Sequence, residues 1–257
     1  MNFSRAIARV PGNNFENGIT SSTLGKPDLK KVNIQHRAYL GALESCGLSV
    51  TLLNADENYP DSTFVEDTAV MTSKCAILTR PGAQSRRDEV GLMRTTIESF
   101  YPKYREIKAP GTLEGGDVCQ VEGHFFVGLS ERTNEEGACQ LAAFLAEEGF
   151  TTSFIPLHAT SGILHLKTGM TYIGENTIVV NRLLDGLPEI ASFRRVVVND
   201  GESYAANCVR INDSVLIPSG FPKLQNELSV LGFKLVPLDM SEFRKMDGGL
   251  SCLSLRF

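Results

Sequence analysis

Hydrophobic and polar positions along the chain repeat one order of elements, in which a β-hairpin is followed by an amphipathic helix and a further strand. The first complete copy has a hairpin over 67–80 that turns at Ser73-Lys74, a helix over 88–101 and a strand over 104–108. Further copies follow the same order. Their hairpins turn at Glu122-Gly123, Gly174-Glu175-Asn176 and Asn212-Asp213. Their helices are expected over 134–149, 184–192 and 222–232, and their last strands over 151–156, 194–198 and 233–238.

The two ends of the chain supply the remaining elements of a fifth copy. These are a strand over 4–10, a helix over 28–47, a strand over 48–53 and a final strand over 250–257. If the final strand pairs with the first, the ring of copies closes and exposed sheet edges are removed. The pattern therefore predicts an α/β fold, a closed propeller of five ββαβ blades formed by a single domain over 1–257. An open mixed α/β sheet is the alternative.

Composition and charge narrow the classes of protein that fit this pattern. The chain has 257 residues, 42% of them hydrophobic, and its 25 basic and 30 acidic side chains give a net charge of −5. A globular core is therefore expected, and the lack of a basic block argues against a nucleic-acid partner. No segment has the ~18 apolar residues of a membrane span, and Arg5 and Arg9 lie where a signal peptide would be apolar. We expect a soluble, cytoplasmic protein with no membrane partner.

The six cysteines contain no CxxC pair, so neither a disulfide framework nor a structural zinc site is predicted. Most of them are expected to be small buried side chains. Cys252 differs because Gly248-Gly249 come shortly before it, and glycines allow close backbone approach or unusual dihedral angles.

Side chains with catalytic chemistry occur in the loops that enter the hairpins. If the copies are related by rotation, these loops meet at one end of the central axis. The residues are Glu66 and Asp67 in DSTFVED, Glu114 and Asp117 in LEGGD, His165 in ILHLK, Asn207 in SYAAN and Cys252 in DGGLSC. Carboxylates, a histidine and a cysteine form a coherent set for nucleophilic catalysis. Each residue alone also has a structural interpretation: a buried cysteine, a core histidine, or a carboxylate that caps a turn.

Four of these motifs together, FVED, LEGGD, HLK and the terminal GGLSC, resemble those of the guanidine-modifying (pentein) superfamily. That superfamily includes arginine and agmatine deiminases, amidinotransferases and dimethylarginine dimethylaminohydrolases, and it shares a five-bladed ββαβ propeller. The resemblance extends over nearly the whole chain. It implies Cys252 as the nucleophile, His165 as general acid and base, Glu114 as the group that orients the imidazole, and Glu66 and Asp67 as the carboxylates that bind the guanidinium.

The position two residues after the histidine distinguishes the branches of this superfamily. Deiminases and amidinotransferases typically carry His-x-Asp, where the aspartate binds the unsubstituted side of the guanidinium. Here Lys167 stands at that position. This is similar to the dimethylarginine dimethylaminohydrolases, whose substrates are methylated on that side and cannot donate hydrogen bonds to a carboxylate. The resemblance therefore implies a hydrolase of methylated arginines.

The resemblance also implies further substrate contacts. Arg86, favoured over its neighbour Arg87, and Arg132 are expected to bind the substrate carboxylate. Asp61 is expected near the substrate amine, together with backbone carbonyls around Ile19 and Met246. For the arginines, surface ion pairs are the alternative.

In the implied reaction the thiolate of Cys252 attacks the guanidinium, methylamine or dimethylamine leaves, and water hydrolyses the covalent thiouronium to citrulline. Either a protonated histidine or the bound cation would generate the thiolate. The chain shows no fingerprint for a metal, nucleotide or flavin, so no cofactor is predicted. The predicted partner is a small cationic substrate, and the chain is expected to act as a monomer or homodimer. Two alternatives stay open: an arginine or agmatine deiminase-like hydrolase, and a catalytically inactive propeller that serves as a binding module.

Overall fold

The computed structural model describes residues 2–158 and 162–257, and this part of the chain contains five separate three-stranded β-sheets. In each sheet the central strand is antiparallel to one neighbour and parallel to the other. The sheets, each with its central strand second, are β15 (Leu255–Arg256), β1 (Arg5–Arg9) and β2 (Ser49–Leu53); β3 (Ala69–Met71), β4 (Ala76–Leu78) and β5 (Tyr104–Glu106); β6 (Val118–Val121), β7 (His124–Leu129) and β8 (Thr151–Pro156); β9 (Met170–Gly174), β10 (Thr177–Asn181) and β11 (Arg194–Val198); and β12 (Val209–Ile211), β13 (Ser214–Pro218) and β14 (Lys234–Leu238). Because the strands form separate sheets, the alternative of one open mixed sheet is wrong.

In four of the sheets an α-helix connects the two parallel strands, and side-chain caps fix where two of these helices begin. Asp28 accepts the backbone N–H groups of Lys30 and Lys31, and Asn134 accepts that of Gly137. The connecting helices are α1 (Leu29–Ser45), α2 (Glu89–Phe100), α3 (Glu135–Glu147) and α5 (Pro222–Val230), and the single-turn helices are α4 (Leu166–Gly169) and α6 (Ser241–Arg244).

The helix predicted over 184–192 is wrong, because the structure has only a 3-10 turn at Pro188–Ile190 there. Gly186 disfavours a helix entropically. Pro188 has no N–H to donate and pushes the preceding Leu187 into an extended conformation, with φ −67° and ψ 126°. A continuous α-helix therefore cannot form across this segment.

The pairing of the two ends of the chain is confirmed, but the last strand is shorter than predicted. Ala6 pairs with Arg256 and Ile7 with Leu255, while Ser251–Leu253 form a 3-10 turn. Leu250 and Leu253 are fully buried. Their spacing of three suits a 3-10 turn, in which residues i and i+3 lie on the same side. Cys252 therefore lies on a helical turn and not on a strand.

The described chain divides into two compact units. The first contains the residues up to Val65 together with Gly169–Arg256, and the second contains Glu66–Thr168 together with Phe257. Each unit has an apolar core of its own. The core of the first unit includes Phe15, Tyr39, Phe243, Leu250 and Leu253, and that of the second includes Ile77, Leu113, Phe125 and Leu141. The single domain over 1–257 stays a prediction. Among the described residues no helix is long and apolar enough to cross a membrane.

His36 on α1 is a buried histidine that the structure keeps neutral. It is 2% exposed, and its Nε2 finds no hydrogen-bond partner among the described residues. Burial lowers the pKa of His36 to about 4. In the unfolded chain the pKa returns to ~6.5, so the unfolded state binds the proton more tightly. The stability that His36 contributes is complete above that value and is lost as the pH falls toward 4.

We expect the free energy of unfolding to fall by about 3 kcal/mol between about pH 7 and pH 4 through this one group. Urea denaturation of the wild type and of His36→Leu at both pH values measures it. The variant removes the titrating ring, so its loss of stability on acidification should be smaller by that amount. Equal losses in the two proteins would show that His36 is not the acid-sensitive group.

Candidate active site

Two adjacent carboxylates, Glu66 and Asp67, lie on a 3-10 turn before β3, and each is 3% exposed. Lys167 Nζ donates to Glu66 Oε1 at 2.6 Å. Asp67 Oδ2 accepts Nη1 of Arg86 at 2.5 Å, and its Oδ1 accepts the Gly116 N–H at 2.9 Å. Both carboxylates are therefore held in fixed orientations by charge-assisted or backbone hydrogen bonds. Both side chains are buried, and their binding of a guanidinium stays a prediction.

His165 and Glu114 form a buried dyad in the same compact unit. His165 Nε2 lies 2.7 Å from Glu114 Oε2, while Glu114 Oε1 accepts the Ala83 N–H at 3.0 Å and lies 3.8 Å from Arg132 Nη1. Burial alone would lower the pKa of His165, but the charges of Asp67 and Asp117 and the bond to Glu114 outweigh it and raise that pKa. Burial would raise the pKa of Glu114, but the hydrogen bond to His165 and the positive charge of that histidine lower the pKa of Glu114. The dyad is therefore stabilised as imidazolium and carboxylate.

The Gly115-Gly116 turn brings the carboxylate pair and the dyad close together. A Cβ on Gly116 would lie 2.6 Å from His165 Nδ1 and 3.0 Å from Asp67 Oδ1, and one on Gly115 would collide with the carbonyl oxygen of Glu66. Only glycine at these positions leaves room for the imidazole and the carboxylate. Glu114 holds Nε2 of His165, and Nδ1 is the ring nitrogen that lies against Gly116.

Asp117 supports the segment that carries the histidine. It is fully buried, and its Oδ2 accepts the hydroxyls of Ser130 and Thr133 at 2.7 Å each. Its Oδ1 accepts the N–H of Leu166, which begins α4 directly after His165, at 3.0 Å. Burial raises the pKa of Asp117. These three bonds hold the histidine loop and leave Asp117 as a structural partner of the site.

Arg86, and not Arg87, lies among the carboxylates. Its Nη2 lies 2.9 Å from Glu89 Oε2 while its Nη1 contacts Asp67, whereas Arg87 Nε donates to the carbonyl of Pro81. Burial would lower the pKa of Arg86, but the charges of Asp67 and Glu89 raise it well above its usual value. The geometry therefore gives Arg86 a defined role in holding Asp67. Binding of a substrate carboxylate by Arg86 and Arg132 stays a prediction.

Cys252 lies in the first compact unit, on the turn Ser251–Leu253, and is partly exposed. The Gly249 N–H donates to Cys252 Sγ at 3.4 Å, and the Cys252 N–H donates to the Gly249 carbonyl at 3.3 Å. A backbone N–H aimed at sulfur stabilises a thiolate more than a thiol, because a charged acceptor makes the stronger hydrogen bond. The role of Cys252 as the nucleophile stays a prediction.

Three predicted substrate contacts also cluster within the first unit, around Gly18. Both carboxylate oxygens of Asp61 lie 3.1 Å from the Ile19 nitrogen, and Asp61 is 7% exposed. A Cβ on Gly18 would lie 2.5 Å from Asp61 Oδ1 and 3.3 Å from the methyl carbon of Met246. The structure thus brings Asp61, Ile19 and Met246 together, and residues that contact one substrate group would have to lie close to one another in this way. Their binding to a substrate amine stays a prediction.

Asp67, Glu114 and His165 offer ligand atoms that lie within 4.8 Å of one another, so they could hold a metal ion. A cation there would compete with Arg86 and the Gly116 N–H for Asp67, and with the His165 proton for Glu114. The expectation of no cofactor stays a prediction.

Two buried residues, Glu89 in the second unit and Asn207 in the first, carried no assigned role in the sequence. Glu89 is 2% exposed and pairs with Arg86; its only sequence signal is the spacing of three, which brings the two side chains to one side of a helical turn. Asn207 is buried against the turn of Cys252. The sequence places Asn207 at the entry to the last hairpin, but its hydrogen-bond partners depend on tertiary structure.

Comparison with known proteins identifies the family. A family model described as arginine deiminase matches residues 54–201. A dimethylarginine dimethylaminohydrolase of Pseudomonas aeruginosa is 46% identical over 256 residues, which cover 99% of this chain and 100% of the relative. The crystal structure of a cysteine-to-serine variant of the Pseudomonas aeruginosa enzyme complexed with citrulline matches with a TM-score of 0.97 at 45% identity, covering 100% of both chains.

A second solved structure, a histidine-to-glycine variant of a dimethylarginine dimethylaminohydrolase as an adduct with S-methyl-L-thiocitrulline, matches with a TM-score of 0.96 at 45% identity. It covers 99% of this chain and 100% of the other. These likenesses confirm the predicted fold, an α/β propeller of five blades. Together with the buried His165–Glu114 dyad and the carboxylate pair, they show that the chain belongs to the dimethylarginine dimethylaminohydrolase family of guanidine-modifying hydrolases.

Proposed function

We propose that this chain hydrolyses Nω-methylated arginines, releasing citrulline and methylamine or dimethylamine. The family assignment supports the reaction class. The observation that carries the choice of substrate is the ion pair between Lys167 and Glu66, whose atoms lie 2.6 Å apart. An ammonium at this position cannot accept a hydrogen bond from an unsubstituted guanidinium nitrogen, as the aspartate of a deiminase would. The site therefore suits a guanidinium that is methylated on that side.

In the proposed reaction Glu66 and Asp67 bind the guanidinium through charge-assisted hydrogen bonds. Their carboxylates are fixed by Lys167, Arg86 and the Gly116 N–H, so they lose little entropy when a substrate binds. The guanidinium is planar and resonance-stabilised, and water alone attacks it poorly. A strong nucleophile and an acid for the leaving amine are both needed.

Cys252 supplies the nucleophile. Its sulfur forms a bond to the central guanidinium carbon as one carbon–nitrogen π bond breaks and its electron pair passes to nitrogen. The negative thiolate and the positive guanidinium together give a neutral tetrahedral adduct. His165 then donates its proton to the methylated nitrogen, and the carbon–nitrogen bond breaks to release the neutral amine. The product of this half-reaction is an S-alkylthiouronium on Cys252, with His165 neutral.

The second half-reaction returns the enzyme to its starting state. His165 accepts one proton from water as the water oxygen bonds to the same carbon, and the carbon–sulfur bond breaks to release Cys252 as a thiolate. The second water proton, on the new hydroxyl group, passes to solvent, where it balances the proton taken up by the released amine, and citrulline leaves. Glu114 keeps the imidazole oriented through Nε2 and stabilises its charged form, which suits both roles of the ring. Every step uses side chains of this chain and water.

The substrate of this proposal is a small cation. We further propose that the enzyme acts in the cytoplasm as a monomer or homodimer, and light scattering of the purified protein distinguishes the two.

Citrulline formation from dimethylarginine, monomethylarginine, arginine and agmatine tests the proposal. We expect kcat/KM for the methylated arginines to exceed that for arginine by at least about tenfold, with agmatine inactive. Charge reversal at Arg132 (Arg132→Glu) should raise KM strongly if the substrate carboxylate is bound there. Preferential turnover of arginine or agmatine would assign a deiminase instead. A binding propeller would show two results together: it would turn over none of these guanidines, and iodoacetamide would alkylate its Cys252 no faster than a free thiol.

A further inference from the structure

Asn207 contacts the residue before Cys252 through both ends of its side-chain amide. Its Oδ1 accepts the Ser251 N–H at 3.0 Å, and its Nδ2 donates to Ser251 Oγ at 3.0 Å. Asn207 is 6% exposed and Ser251 is 2% exposed, so both bonds are shielded from water. Two bonds from one planar group fix both the backbone and the side chain of Ser251, the residue directly before Cys252.

The same amide lies against Gly249, whose N–H donates to the Cys252 sulfur. A Cβ at Gly249 would lie 2.5 Å from both Cγ and Oδ1 of Asn207. Gly249 does not have a positive φ, so the need for glycine here is steric and comes from the approach of Asn207. The amide therefore touches the chain at two points, Gly249 and Ser251, that both come shortly before the nucleophile.

The segment that precedes Asn207 fastens the start of this turn as well. The hydroxyl of Tyr204 donates to the Gly248 carbonyl at 2.8 Å, and the guanidinium of Arg244 lies 4.9 Å from the Tyr204 ring centroid. Burial, followed by the charge of Cys252, raises the pKa of Tyr204, so the phenol stays protonated and keeps donating. Residues 204–207 thus hold the segment 248–252 at two points, Gly248 through Tyr204 and Ser251 through Asn207.

We propose that Asn207 is a positioning residue for the nucleophile, which aims Cys252 Sγ at the reacting carbon by holding Ser251 and Gly249. This inference rests on the proposed function in that Cys252 is the nucleophile. Asn207 acts through its neighbours and takes no part in proton transfer. Because a displacement of about 1 Å in a reacting atom can cost about 100-fold in rate, loss of this support should lower kcat more than it raises KM.

The test compares full-length Asn207→Ala with Asn199→Ala as a matched control. Asn199 caps the same segment, since its Oδ1 accepts the Gly201 N–H at 3.1 Å, and has no role in the site. Both variants lose one asparagine side chain from one segment. We expect Asn207→Ala to lower kcat about 100-fold with little change in KM, and to slow alkylation of Cys252 by iodoacetamide. Asn199→Ala should change thermal stability alone.

Asn207→Asp provides the rescue. A carboxylate can accept both the Ser251 N–H and the Ser251 hydroxyl proton, so the turn should keep its geometry. Its negative charge near the sulfur should shift the alkylation profile to higher pH while the limiting rate at high pH stays close to that of the wild type. A structural role in folding alone would not produce this separation of the pH profile from the limiting rate.

Gly249→Ala supplies an independent route to the same change. The added methyl should displace the Asn207 amide, so the double variant with Asn207→Ala should be little worse than either single variant. Additive losses in kcat would overturn the proposal, as would an Asn207→Ala enzyme with kcat within about twofold of the wild type. Activity that falls only in proportion to the folded fraction would overturn it too.

This test can be told apart from a failure of the proposed function, because alkylation needs no turnover. Inactivity of the wild type on every guanidine would refute the proposed function, and the alkylation rates of the variants would still test the role of Asn207.

Discussion

Replacing Cys252 by serine is expected to abolish citrulline formation, lowering kcat by about four orders of magnitude or more. A serine hydroxyl stays protonated near neutral pH, and the Gly249 N–H stabilises a neutral hydroxyl less than it stabilises an anion. The change from sulfur to oxygen is small, and the residue is partly exposed, so the fold should be retained. Rapid quench assays with dimethylarginine measure the loss.

Cys139→Ser is the matched control for this variant. Cys139 is an exposed cysteine on α3, so its replacement should leave kcat and KM unchanged. Cys252→Ser should still bind dimethylarginine in calorimetry, because Glu66 and Asp67 keep their partners. Turnover by Cys252→Ser within about tenfold of the wild type would contradict covalent catalysis at this residue. Loss of binding together with turnover would instead place Cys252 in substrate recognition.

The hairpins of the fold could be predicted because their turns carry a local signal. Glu122 and Asn212 have φ values of 54° and 52°, in the left-handed region, and each belongs to a turn at the position predicted for it. The prediction of a helix over 184–192 is wrong because Gly186 and Pro188 disfavour a helix more than the hydrophobic period of this segment favours one. The terminal strand is shorter than predicted because burial of Leu250 and Leu253 selects a turn, and burial is a tertiary property.

The chemistry of the site could be predicted by residue type but not by partner. His165, Glu114, Glu66 and Asp67 stand at repeated junctions, and this repetition made them candidates. The bonds that hold them join residues far apart in sequence: Lys167 to Glu66 is a separation of 101 positions, and His165 to Glu114 is 51. No local period reports such a pair, so the distribution of charge within the site follows only from the folded structure.

Gly116→Ala should lower kcat about 100-fold while leaving the fold intact. The new methyl would lie 2.6 Å from His165 Nδ1 and 3.0 Å from Asp67 Oδ1, so the imidazole must move away from the position at which it exchanges its proton. Gly116 has no positive φ, so alanine meets no backbone strain there. The effect should therefore arise from displacement of the catalytic groups.

Gly123→Ala is the control that isolates this displacement. Gly123 lies in the exposed turn between β6 and β7, has no positive φ, and has no atom within 4 Å of an added Cβ among the described residues. Alanine there should leave kcat unchanged and raise the free energy of unfolding by about 0.5 kcal/mol through a less flexible unfolded chain. Steady-state kinetics and urea denaturation of the two variants measure both quantities.

If Gly116→Ala kept kcat within about threefold of Gly123→Ala, the close approach of His165 to this turn would not matter for proton transfer. A large loss in kcat without a comparable loss of stability follows only if the turn shapes the site, because both variants add the same methyl group to the same compact unit.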